Sequence, residues 1–280
     1  MSTDCVPVES RQRLADLPPL PTSLSEVVQA LRTGDLSSER CIELIERDPS
    51  MAVRCLRLAN SPFYGRPGKI GSIHGAVTML GQRTVMSLLT AVSLRQAFRP
   101  EQCPGFQLDV YWRHAMAVAM TASVLAPRLG LDPSEAFLAG LLHDIGELML
   151  VMLQPDAQEE IRQRVRSGEM AEVVEQEVLS IDHVALGASV AQQWHFPANI
   201  VEAIADHHRF WMHTDRPPTS LADLLSLIHG VLTPVEMGLP PQEAALLVPD
   251  VVWEALRYAP EERAEVLDRL IANLAAITQT

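Results

Sequence analysis

The chain has 280 residues, 48% of them hydrophobic and 20% charged, which is the composition of a globular protein and excludes a disordered one. A net charge of -13 excludes a nucleic-acid-binding surface over the whole molecule, because phosphate contacts need Lys and Arg. Four cysteines (Cys5, Cys41, Cys55 and Cys103) with no Cys-x-x-Cys spacing exclude a zinc knuckle or a thioredoxin-like motif and fit a reducing compartment. The first 21 residues lack the basic start and apolar run of a signal peptide, and no uninterrupted apolar stretch reaches the length of a membrane span. The expectation is a soluble cytoplasmic protein that meets no membrane.

Aromatic residues are sparse while Leu, Ala, Val and Met are plentiful, which favours helices packed on helices. Residues 1–16 are polar and read as poorly ordered. Leu17-Pro18-Pro19-Leu20-Pro21 is an extended lead-in, and Thr22 caps a helix ended by Gly34. A second helix runs from about Ser38 to Arg47. Asp48-Pro49 supplies an N-cap and a first helical position for a third, which stops near Asn60. Asn60 to Gly68 is a loop by composition. In it Asn60 and Ser61 read either as part of a recognition loop or as caps of neighbouring backbone groups. Ser72 caps a helix through Leu80, and another spans Gln82 to Phe98. Pro100 to Gly105 is the best internal boundary, dividing residues 17–104 from 105–280.

Beyond the boundary, helices are expected at Leu108–Leu129, from Asp132-Pro133 to a central His143-Asp144, and at about Asp156–Arg166, Met170–Leu179, His183–Trp194 and Ala198–His207. Thr219-Ser220 opens one through about Val231, and two more occupy the tail near Asp250–Arg257 and Glu261–Ile277. No alternating strand pattern occurs, so the fold class is all-α.

The centre of the chain is Leu138 to Leu150, an apolar run interrupted by His143-Asp144. A carboxylate in a core must be paired, hydrogen-bonded or bound to a metal. A neutral imidazole beside a carboxylate is a good pair of divalent-metal ligands; a dry hydrogen bond fastening two helices meets the same need. Other histidines fall where helical positions could converge: His114 in mid-helix, His183 at a helix start, His207 and His208 at a helix end. Imidazoles mixed with carboxylates suit Fe, Mn, Zn or similar ions.

These residues resemble, in order, the HD-domain superfamily of metal-dependent phosphohydrolases, and more closely its HDOD family of largely bacterial regulatory proteins. The resemblance rests on Leu58 to Tyr64, Ile73 to Gly81, Tyr111-Trp112-Arg113-His114, Leu141 to Gly146, His183 with Gly187-Ala188, and Trp194-His195-Phe196-Pro197 before His207-His208. It implies an N-terminal helical bundle packed as one unit on an HD-type bundle. It also implies a divalent metal (Fe, Mn, Mg or Zn) held by His114, His143 and Asp144, with His183, His207 and His208 serving a second ion. The family pattern has a later Asp as well. The alignment places Val231-Leu232 there, with Asp223 about two helical turns too early.

Two more departures bear on function. Glu147 stands where the hydrolase pattern often has lysine, and Arg209 to Met212 replaces the Gly-Tyr-Pro of the cyclic-di-GMP phosphodiesterase branch. The expectation is a regulatory module acting through signalling partners such as receiver or output domains. The alternative is a metal-dependent phosphohydrolase acting on a nucleotide or cyclic dinucleotide.

Overall fold

The protein is described by a computed structural model covering residues 29, 37–47, 49–60, 69–82, 84–85, 90, 106–209 and 216–278. The N-terminal lead-in, the helix capped by Thr22, the loop after Asn60, most of the helix from Gln82 to Phe98, the Pro100–Gly105 boundary and all of the Arg209 to Met212 stretch but Arg209 lie outside these residues. Among the described residues every regular element is a helix.

Three helices of the N-terminal half pack on one another: α1 (Ser38–Glu46), α2 (Pro49–Ala59) and α3 (Ile73–Leu80). Ser72 caps α3 by accepting from the Gly75 backbone N–H. Asn60 turns out to be a backbone staple. Its amide donates to the carbonyls of Leu56 and Ile70, and its Oδ1 accepts from the Ile70 N–H. Cys41 and Cys55 are buried thiols here, and burial pushes them up to about 12 and about 11, which disfavours the reactive thiolate.

The second half begins with α4 (Leu108–Leu125), which tightens into a 3-10 turn at Ala126–Leu129. Asp132 caps α5 (Pro133–Leu142) by accepting from the Ser134 and Glu135 N–H groups. After a two-residue turn at His143-Asp144 comes α6 (Ile145–Leu153). Then follow α7 (Gln158–Arg166), α8 (Ala171–Leu179), α9 (His183–Gln193), α10 (Ala198–Asp206) and α11 (Leu221–Glu236). The tail holds α12 (Pro241–Leu247), α13 (Asp250–Ala255) and α14 (Arg263–Thr278). The separate α6, the extension of α11 five residues past Val231 and the short α12 are findings beyond the sequence reading.

Packing closes six of these helices into a ring. α4 lies on α5, α6 on α9, α9 on α10, α10 on α11, and α11 on α4 again. The α5–α6 segment is mostly apolar apart from His143-Asp144 and Glu147, with Phe137, Leu138, Leu141, Leu142, Ile145, Leu148 and Met149 all fully buried. By length and mean hydropathy (1.7) Pro133–Leu153 could cross a membrane, but 83% of its apolar window is buried inside this ring. One continuous apolar core joins the α1–α3 residues to those of the ring.

Two close approaches set the spacing. A Cβ on Gly140 would lie 2.7 Å from the Ala119 Cα, so α5 and α4 meet backbone to backbone. A Cβ on Gly146 would fall 1.8 Å from the His183 carbonyl oxygen and 2.8 Å from the Gly187 N, so α6 and α9 cross with no room for a side chain.

Candidate metal centre

The ring of helices delivers its polar side chains to one interior point. His143 ends α5 and His207 ends α10, and both use the same local device. Each ring Nδ1–H donates to the carbonyl three residues back, Gly140 and Ile204 respectively, at 2.7 Å. Those carbonyls belong to a last helical turn, where no helical N–H reaches them. His183 is the first residue of α9, behind the N-cap Asp182. His114 lies in the second turn of α4, and His229 midway along α11.

Asp144 sits at the centre, 4% exposed, with each carboxylate oxygen turned to a different pair of imidazoles. Oδ2 lies 2.9 Å from His143 Nε2 and 3.7 Å from His114 Nε2. Oδ1 lies 3.2 Å from His207 Nε2 and 3.9 Å from His183 Nε2. Two groups result, sharing Asp144: His114, His143 and His229 on one side, and His183, His207 and His208 on the other. Within each, the ligand atoms all lie within 4.8 Å of one another.

Most of the inward-facing donor atoms make no hydrogen bond, and four of the rings are anchored through their outer nitrogen. A carbonyl or carboxylate can only accept, so the Nδ1 of His143, His207, His183 (to Glu175, 2.6 Å) and His114 (to Glu236, 2.7 Å) carries the proton. In the neutral ring Nε2 then offers its lone pair inward. His114 Nε2, His143 Nε2, Asp144 Oδ1, His207 Nε2 and His229 Nδ1 are all buried and make no hydrogen bond. Such a set of orphaned atoms is costly in a dry core. Neighbouring donors stand 2.9 Å (His143–Asp144), 3.2 Å (His207–Asp144) and 3.2 Å (His183–His208) apart. Bonds of about 2.1 Å around one ion place adjacent donors about 3.0–3.4 Å apart. The residues therefore fit a divalent metal in each group.

Without an ion the cluster divides its charge sharply. Burial would raise Asp144, but the imidazoles of His143 and His207 outweigh it and hold the carboxyl well below its usual range. Burial lowers His143 and His229, and burial together with His207 lowers His208 to about 3. Burial also opposes charge on His114 and His183, yet Glu236 and Asp144 lift the first to about 9, and Glu175 and Asp144 lift the second to about 10. Burial and the Asp144 charge push Glu147 up to about 7.

His114, His143, Asp144, His183, His207 and His208, expected from the sequence, all come together here. Asp223 does not. Its carboxylate is held by both terminal nitrogens of Arg216 at 2.8 Å and by the Thr219 N–H, and it belongs to neither group. The residue the sequence reading missed is His229. It comes from the helix on which an Asp was sought, two residues before the aligned Val231, and supplies an imidazole in place of that carboxylate.

Residues 17–210 match the HDOD domain family. The chain belongs to the HDOD family. An HDOD-type bundle is also what similar solved structures contain. A protein from Shewanella amazonensis, named by inference as a phosphohydrolase, is 27% identical and superposes with a TM-score of 0.78, covering 97% of each chain. A protein from Marinobacter aquaeolei, named by inference as a signal transduction protein, is also 27% identical, with a TM-score of 0.70 over 94% of this chain and 59% of that one. Among curated relatives, an uncharacterized Treponema pallidum protein is 26% identical over 199 residues; these are 70% of the HDOD chain but 38% of that protein's length.

Proposed function

We propose that this HDOD chain is a bacterial signal-transduction module that holds divalent metal ions and acts through protein partners, such as receiver or output domains, without hydrolysing a phosphoester. The observation that carries this reading is Glu147. It lies in the first turn of α6, close enough to Asp144 for that charge to push its carboxyl up to about 7, at the place where the hydrolase pattern has a lysine. The other charged side chains in contact with the donors are acidic too: Glu172 at 3.4 Å from His208, Glu175 on His183 and Glu236 on His114. Beside the metals, an anionic phosphoester entering this centre would meet carboxylates at the place where the hydrolase pattern supplies a lysine to hold it. The Marinobacter neighbour's name points the same way. The donor set, six imidazoles to one carboxylate, favours Fe or Zn over Mg or Mn.

The test is metal analysis of protein purified without chelator, followed by assays on phosphomonoesters, phosphodiesters and cyclic dinucleotides. Metal without turnover is the expected result. Turnover that vanishes in His143→Ala or Asp144→Ala would overturn the reading in favour of a phosphohydrolase. That second reading is favoured by the unbonded inward-facing donor atoms and by the Shewanella neighbour's name. A divalent metal bound there would supply Lewis acidity and lower the pKa of a bound water. His143, His207, His183 and His114 would hold it with their Nδ1 protons already committed elsewhere.

A further inference from the structure

We infer that Glu236 and Glu175 are positioning residues of the metal centre, one for each donor group. Each accepts the Nδ1–H bond of one imidazole and thereby aims that ring's Nε2 at the ion. The inference rests on the metal-holding part of the reading above and goes beyond it, because neither glutamate is a donor in either group.

The geometry is paired. Each group contains one imidazole backed by a carbonyl, His143 on Gly140 and His207 on Ile204. Each also contains one backed by a carboxylate, His114 on Glu236 and His183 on Glu175. A carboxylate behind a ligating imidazole fixes its tautomer and ring orientation and makes it a stronger donor. Charge supplies the second reason. Two divalent ions would share one carboxylate, Asp144, in a buried setting; Glu236 and Glu175 bring two more negative charges up to the rings without occupying coordination positions.

Glu236 is the last residue of α11, seven beyond His229, so both lie on one face of that helix. α11 thus supplies an inner donor and an outer anchor to the same group. The two glutamates differ in setting: the Glu236 side chain is 43% exposed, that of Glu175 6%. Glu175 also accepts the His183 backbone N–H at 2.8 Å, so its removal would loosen the start of α9 as well. Glu236 is the cleaner probe.

The experiment is a Co2+ titration of the metal-stripped full chain against a competing chelator, followed by the visible absorption of the bound ion. Glu236→Ala should weaken one of the Co2+ binding events by about 10–100-fold and alter its spectrum, leaving the other event alone. Glu236→Gln, which keeps an acceptor for the Nδ1–H, should recover most of the affinity. Glu175→Ala should weaken the other event, and Glu175→Gln should restore most of it. A Glu236→Ala protein that binds Co2+ with the affinities and spectrum of the unsubstituted chain overturns the inference and leaves the metal reading intact, because a simple surface ion pair would shift thermal stability alone. An unsubstituted chain that binds no Co2+ overturns the metal reading itself.

Discussion

The two donor groups on either side of Asp144 are built from nearly the same parts and differ in where those parts come from. The group of His183, His207 and His208 is drawn from α9 and the end of α10, which are consecutive in the chain and mutually packed. The group of His114, His143 and His229 is drawn from α4, the end of α5 and α11, so it needs segments more than a hundred residues apart. Their surroundings differ too, since the first is backed by a buried glutamate and the second by a half-exposed one. Equivalent chemistry can thus be assembled locally or from remote helices. The outer glutamate of the remote assembly is the more exposed of the two, while its imidazoles lie as deep as those of the local one.

Asp144→Ala should break both groups at once and give the largest effect. It removes the shared donor and strands several buried imidazoles, at a cost of about 3–5 kcal/mol; thermal unfolding together with metal stoichiometry checks both losses. Gly146→Ala comes next. Its Cβ would collide with the His183 carbonyl and force α6 from α9, costing about 1–3 kcal/mol or more. Metal affinity should fall most in the His183 group, so an equal loss in both groups would mean that the centre moves as one body. His229→Ala should weaken only the His114 group, by more than the ~10–100-fold expected for loss of an outer partner. A titration in which both binding events weaken would show that the groups are coupled.

The smallest effect is the pH profile of the metal-free protein. The folded values of His114 and His183 are raised, to about 9 and about 10. Their contribution is full below the ordinary histidine value of 6.5 and is lost as pH rises toward 9–10. His143, His208 and His229 are lowered, so the unfolded chain takes up protons below 6.5 that the folded one refuses, and stability falls with acid. Glu147, raised to about 7, opposes that acid limb by one proton without reversing it. The unfolding midpoint of chelator-treated protein should peak near pH 6.5. Metal should add stability, by about 2.7 kcal/mol for each ion bound at a hundredfold excess over Kd.

Much of the centre could be read from the chain because polar residues in apolar surroundings announce themselves. His143-Asp144 interrupts an apolar run, and His207-His208 follows the apolar stripe of Ile200, Val201 and Ile204. Capping signals were equally legible, as Asp132-Pro133 and Ser72 show. His229 was hidden because a single histidine between Ile228 and Gly230 looks like any core histidine, and only the closing of α11 onto α4 gives it partners. Glu175 and Glu236 carried no signal at all. Their hydrogen bonds to His183 and His114 join residues on different helices, and sequence spacing does not encode such contacts. Asp223 misled for the opposite reason: its ion pair with Arg216 depends on the fold of the segment before α11.

The contact of Gly146 with the start of α9 reaches beyond packing. Because main chain rests on main chain there, the distance from Asp144 to His183 is not cushioned by any side chain that could be traded for a slightly larger or smaller one. Repacking the surrounding leucines and valines would leave that distance where it is. Anyone transplanting this cluster of imidazoles around one carboxylate into another helical scaffold would have to move Gly146 and Gly187 along with the histidines.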